Sequence, residues 1–153
     1  MNLFSFLKKN IYEGEAVDLR EKYRISKKEA YDGIPTIFYD VLNKDGKRVG
    51  SIDLRLENRG DMYYYGNVGY TIIQSQRGHG YAYEACKVLF EIANKEFNMN
   101  ELIITCSPEN IASYKTLVKL GGEYIETVDV PMNHTLYALG EIKKAIFKFY
   151  IGK

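Results

Sequence analysis

The sequence predicts a mixed α/β fold of the α+β type, in which helices flank a central, mostly antiparallel sheet of about six to seven strands. Several runs of residues have the apolar or alternating character of β-strands. One apolar stripe with a 3.6-residue period, over residues 81–97, has the length of a long helix. Because strand-like runs lie on both sides of this stripe, the chain is expected to cross over its sheet through a helix.

The first half of the chain predicts four strands and one short helical segment. A hairpin is indicated by Asn43–Lys47, which lies between two β-type runs. Ser26, with Glu29 three residues later, predicts the start of a helical segment over 26–31, and Pro35 with its neighbours would end it. The predicted strands are residues 14–23, 36–42, 48–56 and 62–73.

The second half predicts two helices and three strands. These elements are the helix Tyr81–Phe97, the strand 101–106, a helix from Asn110 to Gly121, and the strands 124–130 and 145–151. Asn110 is a helix N-cap residue type, and Gly121 suits the end of a helix. The strand 101–106 is almost wholly apolar, as expected of a buried parallel strand. Gly66 or Gly69, inside the strand predicted at 62–73, indicates a bulge or a close approach of two backbones.

Composition and charge argue against several classes of function. The 153 residues fit one domain over residues 1–153, with the hydrophobic and charged content of an ordinary globular protein. The net charge of +1 gives no strong field toward nucleic acid or an anionic membrane. The apolar run within Met1–Lys9 is too short for a membrane span, and its charges are on the wrong side for a signal peptide.

The histidines and cysteines predict neither a metal site nor a disulfide. His79 and His134 are the only histidines, and no Cys-x-x-Cys pair occurs. Cys86 and Cys106 lie among apolar residues, which is typical of reduced core thiols in a cytoplasmic protein. Cys106 ends a strand that would face a bound cofactor, so a thiol near the site is an alternative.

A glycine-rich turn carries the strongest functional signal. Residues 68–82 run from an apolar strand through Gly78 and Gly80 directly into the long helix. This order presents free backbone N–H groups at a helix N-terminus, which favours a phosphate or pyrophosphate. Glycine also permits positive φ and a close approach of the ligand. A P-loop would need Lys and Ser or Thr after its last glycine, and a Rossmann turn would open a βαβ unit near the chain start; neither is present.

Two segments resemble motifs of the GCN5-related N-acetyltransferase (GNAT) superfamily. Arg77-x-x-Gly80-x-Ala82 is similar to the family's coenzyme-binding signature, and residues 108–122 are similar to its later Asn-x-x-Ser and Lys-Leu-Gly motif. The joint pattern, best over residues 48–128, most resembles the branch that includes ribosomal-protein N-terminal acetyltransferases. The resemblance implies a GNAT-like acyl-CoA acyltransferase fold. It also implies that acetyl-CoA gives its acetyl group directly, in a ternary complex, to a primary amine of a small molecule or of a protein or peptide N-terminus.

The resemblance implies which residues bind acetyl-CoA. The pyrophosphate is expected on the backbone amides of the glycine turn, and the thioester oxyanion on a backbone N–H near Thr71 and Ile72. His79 is expected at the rim of the phosphate site. Arg77 either contacts a phosphate or is solvated, and Asn110 either caps its helix alone or also contacts the coenzyme. The candidates are therefore Thr71, Ile72, Arg77, Gly78, His79, Gly80, Tyr81, Ala82 and Asn110.

The departing thiolate needs a proton donor, for which Ser113 and Tyr114 are the candidates. Many relatives carry Tyr seven residues after the helix-start Asn, but Leu117 stands there in this chain. In the branch that the chain resembles, the Ser three residues after the Asn takes the role, which implies Ser113. Alternatively, Ser113 satisfies backbone groups of the first helical turn, and Tyr114 packs on an apolar helix face with Ile111, Leu117 and Val118.

The sequence does not identify a general base. Relatives often carry Glu directly before the strand residues Val-Gly-Tyr, and Asn67, which accepts no proton at useful pH, stands there. Asp53, Glu57 and Asp129 are alternatives that could equally be solvated charges, and Asp53 is retained as the catalytic candidate. A water chain, or an α-amine with a pKa of about 7.7–8.0, would also suffice. The segment 24–35 is short, so the acceptor site is expected to be open or to be completed by a second subunit in a homodimer.

Two other functions fit part of the pattern. A non-catalytic acyl-CoA-binding sensor or interaction module of the same fold would explain the departures at positions 67 and 117. A nucleotide-binding protein unrelated to coenzyme A would explain the glycine turn alone. The expected partners are thus acetyl-CoA and an amine acceptor, with no nucleic acid, no membrane and no metal.

Overall fold

The computed structural model describes residues 10–152 and contains two antiparallel sheets. The prediction for Met1–Lys9 lies outside the described residues. The first sheet has the order β1-β2-β3-β4-β5, formed by β1 (Ile11–Glu13), β2 (Val17–Ile25), β3 (Thr36–Asn43), β4 (Arg48–Arg55) and β5 (Val68–Ile72). The second has the order β6-β8-β7, formed by β6 (Glu101–Cys106), β7 (Glu123–Asp129) and β8 (Lys143–Tyr150). The helices are α1 (Tyr81–Phe97), α2 (Ile111–Lys119) and α3 (Thr135–Ala138), with 3₁₀ turns at Gly60–Tyr63 and Gln74–Gln76.

The predicted α+β class is confirmed, but the strands form two sheets rather than one central sheet. The expectation of a parallel strand at 101–106 is wrong, because β6 pairs antiparallel with β8, with Leu102 opposite Phe149. The apolar run has a different cause: its residues are alternately buried and half-buried, so both faces of the strand are partly covered. Apolar composition alone does not distinguish that arrangement from a buried parallel strand.

The hairpin of β3 and β4 forms as predicted. The Asn43 side-chain oxygen accepts hydrogen bonds from the backbone N–H groups of Asp45 (3.0 Å) and Lys47 (2.9 Å). Gly46 has φ +81°, which a residue without Cβ adopts without strain. The turn chemistry therefore fixes the register of the two strands.

Two predictions in the first fifty residues are wrong. The strand predicted at 14–23 is two strands, because residues 14–16 turn between β1 and β2. The segment 26–31 forms only turns, although the Ser26 hydroxyl accepts a hydrogen bond from Glu29 N and the Glu29 carboxylate accepts one from Ser26 N. A capping pair without a following apolar face does not offset the cost of nucleating a helix.

The long strand predicted at 62–73 is also wrong, since β5 begins only at Val68. A 3₁₀ turn precedes it, and Gly66 has φ +73°. The close approach that the glycines indicated is confirmed: a Cβ on Gly66 would lie 2.7 Å from the Ile103 carbonyl oxygen, and one on Gly69 would lie 2.9 Å from Asp53 Oδ1. The tyrosine-rich run before Val68 has strand composition, but its contact with β6 bends it.

In the second half, α1 has the predicted bounds, and α2 begins after Asn110 and ends before Gly121 as predicted. The predicted apolar face of α2 is only partly right, because Ile111 and Val118 are 59% and 54% exposed. Leu117 is the fully buried residue of that helix. The four-residue helix α3 was not predicted, since one turn leaves no periodic pattern.

The main core is one cluster of buried residues drawn from α1, the first sheet and the second sheet. Its helix residues, among them Ala85, Cys86 and Leu89, pack against inward-facing strand residues such as Leu19 and Ile52. Both cysteines are buried and unpaired within the described part of the chain, as predicted. Burial raises the pKa of the Cys86 thiol to about 12, which makes it a poor nucleophile.

The side chain of Asn67 joins the two sheets. Its Nδ2 donates to the Arg55 carbonyl (2.9 Å), and its Oδ1 accepts from Ile103 N (2.8 Å) and from Asn58 Nδ2 (3.0 Å). Its backbone N–H donates to the Ile103 carbonyl, and its carbonyl accepts from Arg55 N. Asn67 is 2% exposed, so these bonds are made away from water, where losing them is costly. They connect β4, β5 and β6 at one point.

We expect Asn67→Ala to lower the free energy of unfolding by at least about 1–3 kcal/mol, because it leaves buried Arg55 C=O and Ile103 N–H groups without a partner. Urea denaturation measures this loss. The control is Asn58→Ala, which removes one hydrogen bond to the same amide and should cost about 1 kcal/mol or less. Equal losses in the two variants would contradict the role assigned to Asn67.

Candidate functional site

A cavity of about 440 Å³ opens beside the second half of β5, between the first turns of α1 and α2. All of the predicted coenzyme-binding residues line it except His79, whose ring packs at a tilt against Tyr81 with ring centroids 5.3 Å apart. The further lining residues are Tyr70, Gln76, Tyr83, Ala112, Ser113 and Thr116. The structure therefore brings the two sequence motifs together around one cavity.

The glycine turn presents a row of unused backbone donors to this cavity. Gly78 and Gly80 have φ +89° and +73°, and a Cβ on either would meet nothing within 4 Å. Backbone conformation, and not lack of space, is thus what requires glycine there. Within the described chain, the N–H groups of residues 78–83 donate no hydrogen bond. Such a row at the start of a seventeen-residue helix attracts anions.

Arg77 ties the turn to the end of β5. Its Nε donates to the Ile72 carbonyl over 3.2 Å. This bond fixes the distance between the anion-binding amides and the strand edge. One nitrogen of the Arg77 guanidinium is therefore bonded to the backbone. The sequence indicates only a phosphate contact or solvation for this side chain.

The register of β5 directs one backbone N–H toward the cavity. Asn67 O accepts from Arg55 N, and Ile73 N donates to Val49 O, so the odd-numbered residues of β5 bond to β4. The N–H of Ile72 therefore points to the opposite edge of β5. No ladder partner covers that edge in the described chain, because β5 is the last strand of its sheet.

The start of α2 places a hydroxyl group opposite that edge. Asn110 Oδ1 accepts from Ser113 N (3.1 Å) and so caps the helix, as predicted. Ser113 Oγ lies 2.6 Å from the hydroxyl oxygen of Tyr70 on β5. Tyr114 lies elsewhere: its ring packs edge-on against Phe147, with centroids 5.1 Å apart, and it lines neither cavity. Of the two proton-donor candidates, the geometry favours Ser113.

A second cavity, of about 260 Å³, lies on the other side of this hydroxyl pair. It shares Tyr70, Asn110 and Ser113 with the first cavity. Its other walls come from β4, β5, β6, β8, α3 and the connecting segments. The lining residues include Arg55, Tyr65, Gly69, Cys106, Ser107, Leu136, Glu141 and Lys144. The two cavities thus meet at three side chains.

An ion pair forms one wall of the second cavity. Lys144 Nζ, which is almost buried, donates to Glu141 Oε1 over 2.6 Å, and Ser107 Oγ donates to the same oxygen over 3.0 Å. Burial would raise the pKa of Glu141, but the hydrogen bond and charge of Lys144, with the Ser107 hydroxyl, hold it below its usual range. Glu141 is therefore an ionised acceptor of hydrogen bonds and a weak base.

The carboxylates proposed as bases occupy different surroundings. Glu57 pairs with Arg59 at the surface, and Asp129 pairs with Lys143 with its side chain 81% exposed. Asp53 lies on β4 directly across from Gly69, a wall of the second cavity, although Asp53 itself lines neither cavity. Its Oδ2 is buried without a hydrogen bond, 3.4 Å from Arg55 Nη2. Burial, opposed in part by Arg55, raises the pKa of this carboxyl.

Several residues of the site were missed by reasoning from the sequence. Tyr70 belongs to the Val-Gly-Tyr motif, but nothing in the sequence shows that its hydroxyl meets Ser113, 43 positions away. Lys144 and Glu141 belong to no motif that the sequence analysis singled out. A buried Lys is unusual, and only the fold shows that Lys144 is one.

No group of three or more His, Cys, Asp or Glu side chains suited to a metal ion occurs among residues 10–152. In the same part of the chain, the longest helix falls short of the length and apolarity that crossing a bilayer requires.

Comparison with known proteins identifies the family. A sequence model described as an acetyltransferase (GNAT) domain matches residues 8–123. The match covers most of the chain, so the chain belongs to the GNAT family of acetyltransferases. An uncharacterized N-acetyltransferase of Bacillus subtilis (strain 168), YnaD, is 39% identical over 54 residues, which are 35% of this chain and 32% of that protein. The matched region thus spans about a third of that relative's length.

Solved structures of acetyltransferases share the fold of this chain. A GNAT-family acetyltransferase from Bacillus anthracis aligns with a TM-score of 0.68 at 16% identity, over 92% of this chain and 98% of that one. RimL, a ribosomal L7/L12 α-N-protein acetyltransferase, also aligns with a TM-score of 0.68, at 12% identity, over 94% and 99% of the two chains. At such identities the likeness shows the fold. The branch that the sequence resembles is thus represented among proteins of this fold.

We expect Asp53→Asn to gain stability relative to the native chain as pH rises. The pKa of Asp53 is higher in the folded chain than its ordinary 3.8, so the folded state binds the proton more tightly. Stability then falls as pH rises from 3.8 through the folded pKa, and the cost of the charged form is complete above it. Unfolding free energies of both proteins between pH 4 and 7 test this. A stability difference that is constant over this range, or that shrinks, would contradict it.

Proposed function

We propose that this protein transfers an acetyl group from acetyl-CoA to a primary amine, by direct attack within a ternary complex. The observation that carries the proposal is the meeting of two cavities at Tyr70 and Ser113, with the free amides of the glycine turn in one of them. Acetyl-CoA would occupy the larger cavity and the amine the smaller one. The GNAT family uses acetyl-CoA, which the family assignment brings to this chain.

The coenzyme would be held by its pyrophosphate. The amides of residues 78–83 and the N-terminal end of α1 supply the donors, with the Arg77–Ile72 bond holding the turn in place. The thioester would then lie along the open edge of β5. There the N–H of Ile72 is directed to donate to the oxyanion that forms during attack, and one such donor typically lowers a barrier by about 2.7–4 kcal/mol.

The chemistry needs a neutral amine and a protonated leaving group. The acceptor nitrogen attacks the thioester carbon, a C–N bond forms, and the C–S bond breaks. Ser113, which lines both cavities, is the proton donor for the thiolate. Asp53, with its raised pKa and its place behind Gly69, is the base that removes a proton from the incoming ammonium group through water.

A covalent acetyl-cysteine route is less consistent with the site. Cys106 lines the second cavity, but burial, opposed in part by Lys144, raises the pKa of its thiol. The thiolate needed for nucleophilic attack is therefore disfavoured. Direct attack by the amine does not require it.

The acceptor is either a small-molecule amine or a protein or peptide N-terminus. RimL, which shares the fold, is an α-N-protein acetyltransferase, and this supports the second class. An α-amine with a pKa of about 7.7–8.0 would need little help from a base. The modest volume of the second cavity suits the first residue of a chain as well as it suits a small amine.

The proposed function is tested by titrating the protein with acetyl-CoA in a calorimeter and then following release of free thiol with pooled amines and N-terminal peptides. Binding with thiol release that depends on one acceptor supports the proposal. Binding without release from any acceptor would favour a non-catalytic acyl-CoA sensor. Absence of binding would contradict the assignment of the glycine turn.

Gly80→Ala is expected to weaken acetyl-CoA binding roughly tenfold or more, because a Cβ at φ +73° favours a rearranged turn whose amides no longer converge. Gly46→Ala is the matched control, since Gly46 also has a positive φ and open space around it but lies in the β3–β4 hairpin. Both variants should lose about 1–2 kcal/mol of stability. Equal acetyl-CoA affinity in the two variants would exclude the glycine turn as the anion site.

A further inference from the structure

The hydroxyl groups of Tyr70 and Ser113 form the boundary between the two cavities. Their oxygens are 2.6 Å apart, and both residues line both cavities. Asn110 is the third shared residue, but its side-chain oxygen is occupied by Ser113 N, and an amide does not pass protons at neutral pH. The Tyr70–Ser113 pair is therefore the shared wall that can move a proton from one side to the other.

Resting on the proposed function, we propose that Tyr70 and Ser113 form a relay that carries a proton from the acceptor nitrogen to the departing thiolate. After attack, the nitrogen bonded to the acetyl carbon is positively charged and must lose a proton. It gives that proton to the Tyr70 oxygen, Tyr70 gives its own to Ser113 Oγ, and Ser113 gives its own to the coenzyme sulfur as the C–S bond breaks. The products are the amide and the free thiol, and both hydroxyls are restored.

The surroundings of Tyr70 favour transfer of the three protons in one step. Burial, opposed by the Ser113 hydrogen bond, raises the pKa of Tyr70 to about 12. A phenolate with a lifetime of its own is therefore disfavoured, and so is a serine alkoxide. A chain in which each oxygen accepts one proton while releasing another avoids both charged species.

The relay also explains how the reaction could proceed with Asn67 at the position where relatives often carry a Glu base. The Asn67 amide joins the two sheets by hydrogen bonds from both its ends, and it carries no group that titrates near neutral pH. Asp53 is needed only for an acceptor that arrives as an ammonium ion. The proton that the nitrogen loses after attack passes through Tyr70 and Ser113, and this transfer needs no carboxylate.

The test compares Tyr70→Phe, Ser113→Ala and the double variant with the native protein. The measurements are kcat with the best acceptor, the acetyl-CoA affinity, and the dependence of kcat on the deuterium fraction of the solvent. Tyr124→Phe is the matched control, because the Tyr124 hydroxyl makes an equivalent 2.6 Å contact with Thr127 on the exposed strand β7. The control should retain the native kcat.

Each single variant is expected to lose roughly 100-fold in kcat, the double variant no more than either single one, and acetyl-CoA affinity to change less than about threefold. The native protein should show a curved dependence on deuterium fraction, from more than one proton in motion, and both single variants a linear one. A Tyr70→Phe kcat within about threefold of native, or losses that multiply in the double variant, would overturn the relay.

Two further outcomes are also decisive. If Tyr70→Phe does not fold, Ser113→Ala still interrupts the relay, and an unchanged curved dependence in that variant overturns it. If the native protein binds acetyl-CoA but transfers acetyl to no amine, the proposed function and the relay are both wrong. If the native protein transfers acetyl groups and Tyr70→Phe keeps a near-native kcat, the relay is wrong and the proposed function stands.

Discussion

The site of this protein depends on the buried amide of Asn67. Three elements converge on it, and a side chain with both a donor and an acceptor is needed to satisfy the groups of β4 and β6 at once. The two sheets are joined at Gly66 and Asn67. From Val68 onward, β5 has no ladder partner on its outer edge in the described chain. That unpaired edge forms the wall of the larger cavity and directs the Ile72 N–H into it. A structural hydrogen-bond network thus creates the opening in which acetyl transfer would take place.

Features encoded by adjacent residues were predictable from the sequence. The bounds of α1 follow from its apolar period, and the β3–β4 hairpin and the Asn110 cap follow from residue types at fixed offsets. Two of the failures involve distant partners, whereas those at 14–23 and 26–31 arise within the segment itself. The 62–73 run has the composition of a strand, but Gly66 meets Ile103 and the chain bends there. Antiparallel pairing of β6 depends on β8, which lies some forty residues later in the chain.

The same distinction applies to the candidate site. The glycine turn is a continuous stretch whose conformational needs are visible in its residues, and its neighbours line one cavity as a group. The second cavity collects side chains from several separate elements, so no single segment carries its pattern. Tyr114 and Ser113 are adjacent and both carry a hydroxyl group, yet the helix turns one toward Phe147 and the other toward Tyr70. The sequence does not show which of the two hydroxyl groups reaches the cavities, and the fold does.

The position of β8 in its sheet affects the order in which the chain can fold during synthesis. The first sheet adds its strands in chain order, so each new strand finds its partner as soon as it is made. In the second sheet β8 is the central strand, although it is the last one in the chain. Neither β6 nor β7 has a ladder partner until β8 has emerged, and Lys144, a wall of the second cavity, lies on β8 itself. A ribosome-bound chain can therefore have a complete first sheet and glycine turn before the second cavity has formed.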